Sequence, residues 1–486
     1  MYKKREHVHF MGIGGIGMSG IAEILKLRGY TVSGCDLGGS SSTLKHLSSI
    51  GCIIHQGHDV SHIRDADVLV YSSAVKHDAP EICVAMEKGI PVIPRALMLG
   101  ELMRTKYSVA VSGAHGKTTT TSLISHIMIE AERHPTVIVG GILKNISNNA
   151  QLGSGEILIA EADESDRSLL NLSPTMAVVT NIDAEHLDTY SGIDDIKDTF
   201  KQFLARLPFY GKAFVCMDDP NVRSILPLPH VCTVKYGLST DADIMGEIIE
   251  MGVTSSTFDV YRNSVDAQLQ REKKLLGRVI LNIPGHHNVL NSLAAIGVGL
   301  EFDVPFEIIA QALETFKGVE RRFEFKGMFN GAEIFDDYGH HPTEIKTTLL
   351  VAQKRAQGRL HVIFQPHRFT RTAKLWNEFV EVFARYDQAA YRIDTLYITD
   401  IYPASEAPIA GITAQRLIQA ISQANPAIQA SYLSSYDLIT QQVQQVIQPG
   451  DLVLTIGAGK INQVAEALVA LNQAPSSSVQ PHVCGQ

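Results

Sequence analysis

The chain has 486 residues, 45% of them hydrophobic, and a net charge of −9. That length is too great for one hydrophobic core and calls for about two to four domains. An acidic balance without a basic block argues against general nucleic-acid binding, so any phosphate must be met by local lysines, arginines, helix ends or metal ions. The six cysteines, at 35, 52, 83, 216, 232 and 484, show no CxxC spacing. They point to a reducing compartment with neither a disulfide framework nor a zinc site. The start, Met1-Tyr-Lys-Lys-Arg5, runs into Glu6, His7 and a glycine turn and does not read as a signal peptide. No apolar run is long enough to span a bilayer. The expectation is a cytoplasmic protein without a membrane or nucleic-acid partner.

The first predicted strand is Val8 to Met11. Gly12-Ile-Gly-Gly-Ile-Gly17 follows, and Met18 to Arg28 has helical apolar spacing at Ile21, Ile24 and Leu25. A second strand, Thr31 to Cys35, ends at Asp36. Gly12, Gly14 and Gly17 make a G-x-G-x-x-G fingerprint in a βαβ unit with a downstream acid. Two functional readings stand: NAD, or another ligand bearing a diphosphate. A third is a tight turn that serves packing alone. Ala66 to Tyr71 reads as a buried strand ending in Ser72 and Ser73, at the kind of strand end where open α/β sheets bind ligands. A helix over Leu97 to Met103 leads to a domain boundary near Lys106.

The stretch Val109-Ala-Val-Ser-Gly-Ala-His-Gly-Lys-Thr-Thr-Thr-Thr121 carries the most chemistry. It reads as a strand, a glycine turn, a lysine and a helix opened by hydroxyl residues. Backbone N–H groups of such a turn and the helix N-terminus favour an anion at one spot. Lys117 would add a mobile positive charge at the outer phosphates, and Thr118 a hydroxyl for Mg²⁺. The turn is shorter than a standard P-loop, because Gly113 and Gly116 bracket only Ala114 and His115.

Gly140-Gly141 and the stretch Asn145 to Ser154 read as a polar loop. The strand Glu156 to Ala160 ends in Glu161-Ala-Asp-Glu-Ser-Asp166, four carboxylates that either face water or hold a cation. Met176 to Thr180 is a strand ending in Asn181-Ile-Asp-Ala-Glu-His-Leu-Asp188. Thr118, Glu161 and His186 thus follow three successive strands, and parallel strand ends converge on one edge. The trio is a candidate Mg²⁺ site, with His186 its weaker member because imidazole suits Mg²⁺ less than carboxylate. The region from about Tyr236 to Leu281 looks rich in strands. Pro284-Gly-His-His-Asn288 opens a helix on which His287 and Asn291 share a face. They could read a base edge or simply begin a helix. Arg321 and Arg322 lie in a connection near Gly318, where they suit a nucleotide or plain solvent.

The last third again alternates strand and helix. Its strands are Glu333 to Phe335, His361 to Phe364, Leu396 to Ile398 and Leu452 to Ile456. The first three lead to Asp336-Asp-Tyr-Gly-His-His-Pro342, Gln365-Pro-His-Arg-Phe-Thr-Arg371 and Thr399-Asp-Ile-Tyr-Pro403. Arg368 and Arg371 have the forked chemistry that clamps a carboxylate. Gly457-Ala-Gly-Lys460 reads as a strand-to-helix turn. The tail from Asn472 is expected to be disordered.

Taken in order, Gly113-Ala-His-Gly-Lys-Thr-Thr, Glu161-Ala-Asp-Glu-Ser-Asp, Thr180-Asn-Ile-Asp-Ala-Glu-His, Gly285-His-His-Asn and Asp336-Asp-Tyr-Gly-His-His-Pro resemble the Mur ligases of peptidoglycan synthesis. The resemblance runs from Gly12 to Gly459. It implies an α/β protein of three domains: an N-terminal Rossmann-like UDP-binding domain (1–106), a central P-loop-type ATPase with a parallel sheet (107–318) and a C-terminal Rossmann-like domain (319–471). It also implies ATP and Mg²⁺ as cofactors. The branch it most resembles joins L-alanine to the lactyl carboxylate of UDP-N-acetylmuramate, as monomer or homodimer. By that resemblance the catalytic residues are Lys117, Glu161, His186 and Arg368, and the metal shell is Thr118, Glu161 and His186. ATP would meet Gly113, His115, Gly116, Lys117, Thr118, Thr119, His287, Asn291, Arg322 and Asp337. The sugar nucleotide and amino acid would meet Gly12, Gly14, Gly15, Gly17, Asp36, Ser72, Ser73, Tyr338, His340, His367, Arg368 and Arg371.

Overall fold

The computed structural model describes residues 6–39, 41–72, 74–143, 148–186, 189–265, 271–384, 392–404 and 406–473. Two compact units divide the chain, Met1–Val319 and Glu320–Gln486. The first unit holds two sheets and the second holds one.

The first sheet comprises β1 (His7–Met11), β2 (Thr31–Asp36), β3 (Ile53–Gln56), β4 (Val68–Tyr71) and β5 (Val92–Pro94) in the order β3-β2-β1-β4-β5. Every pair is parallel. The order reverses between β1 and β4, which opens a crevice at their carboxyl ends. Helix Ile16–Leu27 starts there. Ile21, Ile24 and Leu25 of this helix are buried, as the helical spacing requires.

The second sheet has ten strands: β6 (Tyr107–Ser112), β7 (Thr136–Leu143), β8 (Asn148–Gln151), β9 (Ile157–Glu161), β10 (Met176–Val179), β11 (Lys212–Cys216), β12 (Cys232–Gly237), β13 (Ile244–Met251), β14 (Ser256–Val265) and β15 (Arg271–Leu281). Their order is β15-β14-β13-β12-β11-β10-β6-β9-β7-β8. β6 lies between β9 and β10 and runs parallel to both. Val109, Ala110 and Val111 are fully buried, which explains the unbroken apolar run of β6. β13, β14 and β15 form one antiparallel end of the sheet.

The polar-loop expectation for Gly140, Gly141 and Asn145 to Ser154 is corrected at the two glycines and at Asn148–Gln151, while residues 145–147 lie outside the described residues. β7 runs through both glycines, and β8 pairs with it antiparallel. The helix Ile16–Leu27 packs on both strands, and Ala150 is buried. A strand with one buried apolar residue has no alternation long enough to read, so tertiary cover decides its state.

The third sheet, in the second unit, comprises β16 (Glu324–Phe329), β17 (Ala332–Asp337), β18 (Leu360–Phe364), β19 (Thr395–Ile398), β20 (Gln429–Tyr432) and β21 (Leu452–Ile456), in the order β16-β17-β21-β18-β19-β20. Only β16 is antiparallel to its neighbour. β16 and β20 are edge strands with two exposed residues each, and the sequence reading missed both. The final helix, Asn462–Gln473, extends past Asn472, where the tail was expected to begin. Once Val464, Ala465 and Leu468 are packed, adding another helical turn costs little. Among the described residues no helix is long and apolar enough to cross a membrane.

Candidate active site

At the crevice of the first sheet, the backbone N–H of Gly12 donates to the carbonyl of Cys35 at 2.8 Å. Gly12 has φ +79°, and a Cβ there would come within 3.0 Å of Ser72 Oγ at the end of β4. The Asp36 carboxylate accepts from the backbone of Gly14 and of Gly38, each at 2.8 Å. A Cβ on Gly14 would meet Asp36 Oδ2 at 2.8 Å. Gly15 is exposed at the N-cap of the helix. Gly17 faces Arg95, whose Nη1 would stand 3.1 Å from a Cβ at position 17. The structure therefore brings Gly12, Gly14, Gly17, Asp36 and Ser72 together, while Ser73 lies outside the described residues. Asp36 holds the turn itself, through both its oxygens. Arg95, at the start of helix Arg95–Met103, carried no sequence signal. Its Nη2 also lies 3.8 Å from Asp163 Oδ2, in the loop after β9.

The glycine-lysine turn follows β6. Gly116 caps the helix Lys117–Glu130 with φ +82°. Gly113 has φ +136°, and a Cβ there would lie 2.0 Å from Thr180 Oγ1. Only glycine fits either position. The end of β10 locks the turn from the side. Asn181 Oδ1 accepts from the N–H of His115 at 2.8 Å, and Thr180 Oγ1 donates to the His115 carbonyl at 2.6 Å. Thr118 stands in the first turn of the helix, and its carbonyl accepts from the Ser122 hydroxyl. Thr119 is buried just behind it. From another helix, His286–Glu301, Asn291 reaches the same turn: a Cβ on Gly116 would meet Asn291 Oδ1 at 2.6 Å. Asn291 is buried and His287 is exposed, so the two predicted partners sit in different surroundings.

Lys117 Nζ donates to the carbonyls of Gly113 at 2.5 Å and Ala114 at 3.1 Å, and to Glu164 Oε1 at 2.8 Å. Burial alone would lower its pKa, but the Glu164, Asp163 and Glu185 carboxylates outweigh burial and hold the ammonium above its usual range. His186 Nε2 lies 3.5 Å from Glu164 Oε1 and 3.4 Å from Glu185 Oε2. Burial opposes its charge, yet these two carboxylates raise its pKa to about 9. The residue has φ +53°, a left-handed conformation rare outside glycine. His115 Nε2 is 3.2 Å from Asp183 Oδ2 and 3.8 Å from Glu185 Oε1.

The donor atoms of Glu164, Glu185 and His186 all lie within 4.8 Å of one another. Glu161 ends β9 opposite Val111 and is not one of this trio. Sequence reasoning missed Glu164 and Glu185 as site residues, although both lie in the quoted runs. Lys117 and protonated His186 are the cations beside these buried acids, and Glu164 Oε2 is buried with no hydrogen-bond partner. A divalent cation suits such oxygens, so the residues present fit Mg²⁺.

In the second unit, Asp337 is buried at the end of β17. It accepts from the backbone of Phe323 and of Gly339, each at 2.7 Å, and from Thr348 Oγ1 at 3.2 Å. Burial pushes its carboxyl up, partly offset by Arg322. Arg322 Nη1 is 3.4 Å from Glu344 Oε1. The guanidinium groups of Arg321 and Arg322 lie 5.0 Å and 5.5 Å from the centre of the Tyr338 ring. Arg321 also donates to Asp336 and to the carbonyls of Gly457 and Gly459, so the last glycine turn is a structural partner of this arginine. The rings of Tyr338 and His340 are 5.7 Å apart, as are those of His340 and His367. His367 stacks on Tyr402 at 5.5 Å. Arg371 Nη1 lies 3.1 Å from His367 Nδ1, and burial together with His340 and the nearby arginines pushes the His367 pKa down to about 3. Arg368 has φ +70°, and its Nε is 4.0 Å from Glu406 Oε1. Tyr338, His340, His367 and Arg371 thus form one cluster at the ends of β17 and β18, in which His367 is held neutral.

Three family models match in succession: the Mur ligase family catalytic domain over residues 7–107, the Mur ligase middle domain over 111–299 and the Mur ligase glutamate ligase domain over 321–459. A UDP-N-acetylmuramate–L-alanine ligase of Geobacter sp. (strain M21) is 48% identical over 479 residues, covering 98% of this chain and 100% of the relative. That of Geotalea daltonii is 49% identical over 477 residues, with coverage of 98% and 100%. Among solved structures, the UDP-N-acetylmuramate–alanine ligase of Thermotoga maritima shares the fold at a TM-score of 0.76, with 24% identity over 96% of this chain and 99% of that one. A murein peptide ligase from Psychrobacter arcticus shares it at 0.67, with 23% identity over 96% and 98%. The three family domains in order, with relatives nearly half identical over almost the whole length, place this chain in the Mur ligase family.

Proposed function

We propose that the protein is an ATP-dependent ligase that joins L-alanine to the lactyl carboxylate of UDP-N-acetylmuramate in the cytoplasm, releasing ADP and phosphate. The reading is carried by the 48% identity to an alanine-adding ligase over 98% of the chain. The turn between β6 and its helix supports it, because Lys117, Gly113 and Gly116 meet the needs of a triphosphate.

The chemistry follows from charge. A carboxylate oxygen attacks the γ-phosphorus of ATP, ADP leaves, and an acyl phosphate remains. The neutral amine of alanine then attacks the acyl carbon, loses a proton, and phosphate departs. The first step brings two anions together. Lys117 offsets that repulsion by donating to the transferring phosphoryl group in place of Glu164. Mg²⁺, when bound, would supply further charge neutralisation, held by Thr118, Glu161 and His186, whose imidazole must first give up its proton, with Glu164 and Glu185 beside them. The turn around Gly12, Gly14 and Gly17 with Ser72 takes the diphosphate of the sugar nucleotide, and Arg95 stands at its edge. Asn291 and His287 serve the adenine side. Tyr338, His340, His367, Arg368 and Arg371 serve the amino-acid side, and Arg322 and Asp337 the nucleotide, as the family resemblance implies.

The test is phosphate release from Mg-ATP with UDP-N-acetylmuramate, run with L-alanine, with the murein tripeptide and with no amine. Release that requires both the sugar nucleotide and L-alanine is expected. Release with the tripeptide alone would reassign the protein to the murein peptide ligases.

A further inference from the structure

The first sheet carries a cluster of ligating side chains that the ligase reaction does not use, next to Asp36 at the end of β2. Cys35 near the end of β2, His58 in the loop after β3 and Glu81 in helix Pro80–Glu87 bring their donor atoms within 4.8 Å of one another. Cys35 Sγ lies 3.0 Å from His58 Nδ1, and Glu81 Oε1 lies 3.4 Å from the same nitrogen. Glu81 is 1% exposed and Cys35 is fully buried, whereas the His58 side chain is 26% exposed.

With a neutral imidazole, the thiol and the carboxylate compete for one nitrogen. A neutral imidazole Nδ1 either accepts from the thiol or donates to the carboxylate, and never does both. Glu81 Oε1 is buried with no hydrogen-bond partner, although it is aimed at the cluster. A buried carboxylate oxygen left this way costs free energy that a cation would recover. Sulfur, nitrogen and oxygen in one set suit a borderline-soft divalent ion, and zinc-type bonds of about 2.0–2.3 Å place tetrahedral donors about 3.3–3.8 Å apart. The observed separations at His58 are close to that spacing.

We propose that Cys35, His58 and Glu81 form a binding site for a divalent transition ion of the zinc type, with water as the fourth ligand on the His58 side. Burial and the neighbouring Glu81 raise the Cys35 pKa to about 12, so the thiol stays protonated until a metal displaces the proton. The ligands are spread over residues 35, 58 and 81, so no cysteine spacing announces them, and only tertiary packing brings them together.

The test uses the full-length chain after chelation, titrated with Co²⁺ and then Zn²⁺. Co²⁺ is expected to give thiolate-to-cobalt absorption in the near ultraviolet, which Zn²⁺ abolishes by displacement. The cluster of Glu164, Glu185 and His186 contains no sulfur and cannot produce that band. Cys35→Ser should remove the band, Glu81→Gln should weaken Co²⁺ affinity about tenfold or more, and Cys232→Ser should keep both. Should Cys35→Ser fail to fold, the rise in melting temperature on adding Zn²⁺ is compared between wild type and His58→Ala, and should be lost in the variant. Absence of the band in the wild-type protein, its persistence in Cys35→Ser, or an equal Zn²⁺ response in His58→Ala would each overturn the site.

Discussion

Lys117 shows how one residue can be legible while its partner is not. Its position after Gly116 and before four threonines is local in sequence, so the expectation for it needs no tertiary information. Lys117→Ala is expected to lower turnover by several orders of magnitude while the circular dichroism spectrum stays that of the folded protein. Near-normal turnover would remove the lysine from the mechanism. Glu164 is different. The run Glu161 to Asp166 offers four carboxylates, and which one turns toward Lys117 depends on the path of the chain beyond β9. Glu161, which ends the strand, is the one expected at the metal, and Glu164 is the one 2.8 Å from the ammonium. Glu164 and Glu185 together hold the His186 pKa near 9. In Glu164→Gln the imidazole should therefore titrate at lower pH, as followed by the ring proton shift in NMR. An unchanged titration would mean that Glu164 does not govern His186.

The element that organises the first unit is the set of parallel strands β9, β6 and β10. Because they run the same way, the loops after them share one edge, and Asn181, Thr180 and Glu164 reach a turn from a different strand. Alternating strands and helices in the sequence were enough to expect this convergence. Gly113→Ala tests its tightness, since the new methyl would overlap Thr180 Oγ1 at 2.0 Å in a backbone with φ +136°. The variant should lose at least about 2 kcal/mol of stability, read by urea denaturation, and its ATP turnover with it. A stable, active Gly113→Ala would show that the turn tolerates repacking. Arg95 belongs to this scale too, because its helix carries it to Gly17 and to Asp163 at once. Arg95→Ala should raise KM for UDP-N-acetylmuramate about tenfold, with a smaller effect on KM for ATP. Equal effects on both would deny it a place at the sugar-nucleotide turn.

At the scale of the whole molecule, each unit has its own polar anchors. In the second unit, Asp451 opens β21 and accepts from Arg359 at 2.8 Å and from the backbone of Gln448 at 2.9 Å, and it lies 3.0 Å from His361 Nε2. Burial would raise its pKa, but Arg359 and His361 outweigh that and lower it to about 2. A folded pKa below the unfolded value means that the unfolded chain binds the proton first as pH falls. The stabilisation is present above about pH 4 and is lost as pH falls toward 2, and amounts to about 2 kcal/mol. Denaturation of wild type and Asp451→Asn across pH 2 to 6 should show the two converging at the acid end. Parallel curves over that range would exclude this anchor.

The order of short motifs along the chain was sufficient for the α/β class, the family, and the glycine-lysine turn at Gly113 to Thr118. Those features depend on backbone geometry and on neighbours in sequence, which a linear string records. Packing alone decided that Asn148–Gln151 is a strand, that Glu164 and Glu185 surround His186, that Arg95 faces Gly17, and that Cys35, His58 and Glu81 meet. Each of these joins residues far apart in the chain or chooses among equivalent neighbours. Such a choice is made by which face of a strand or helix is buried, and that is settled only when the elements pack.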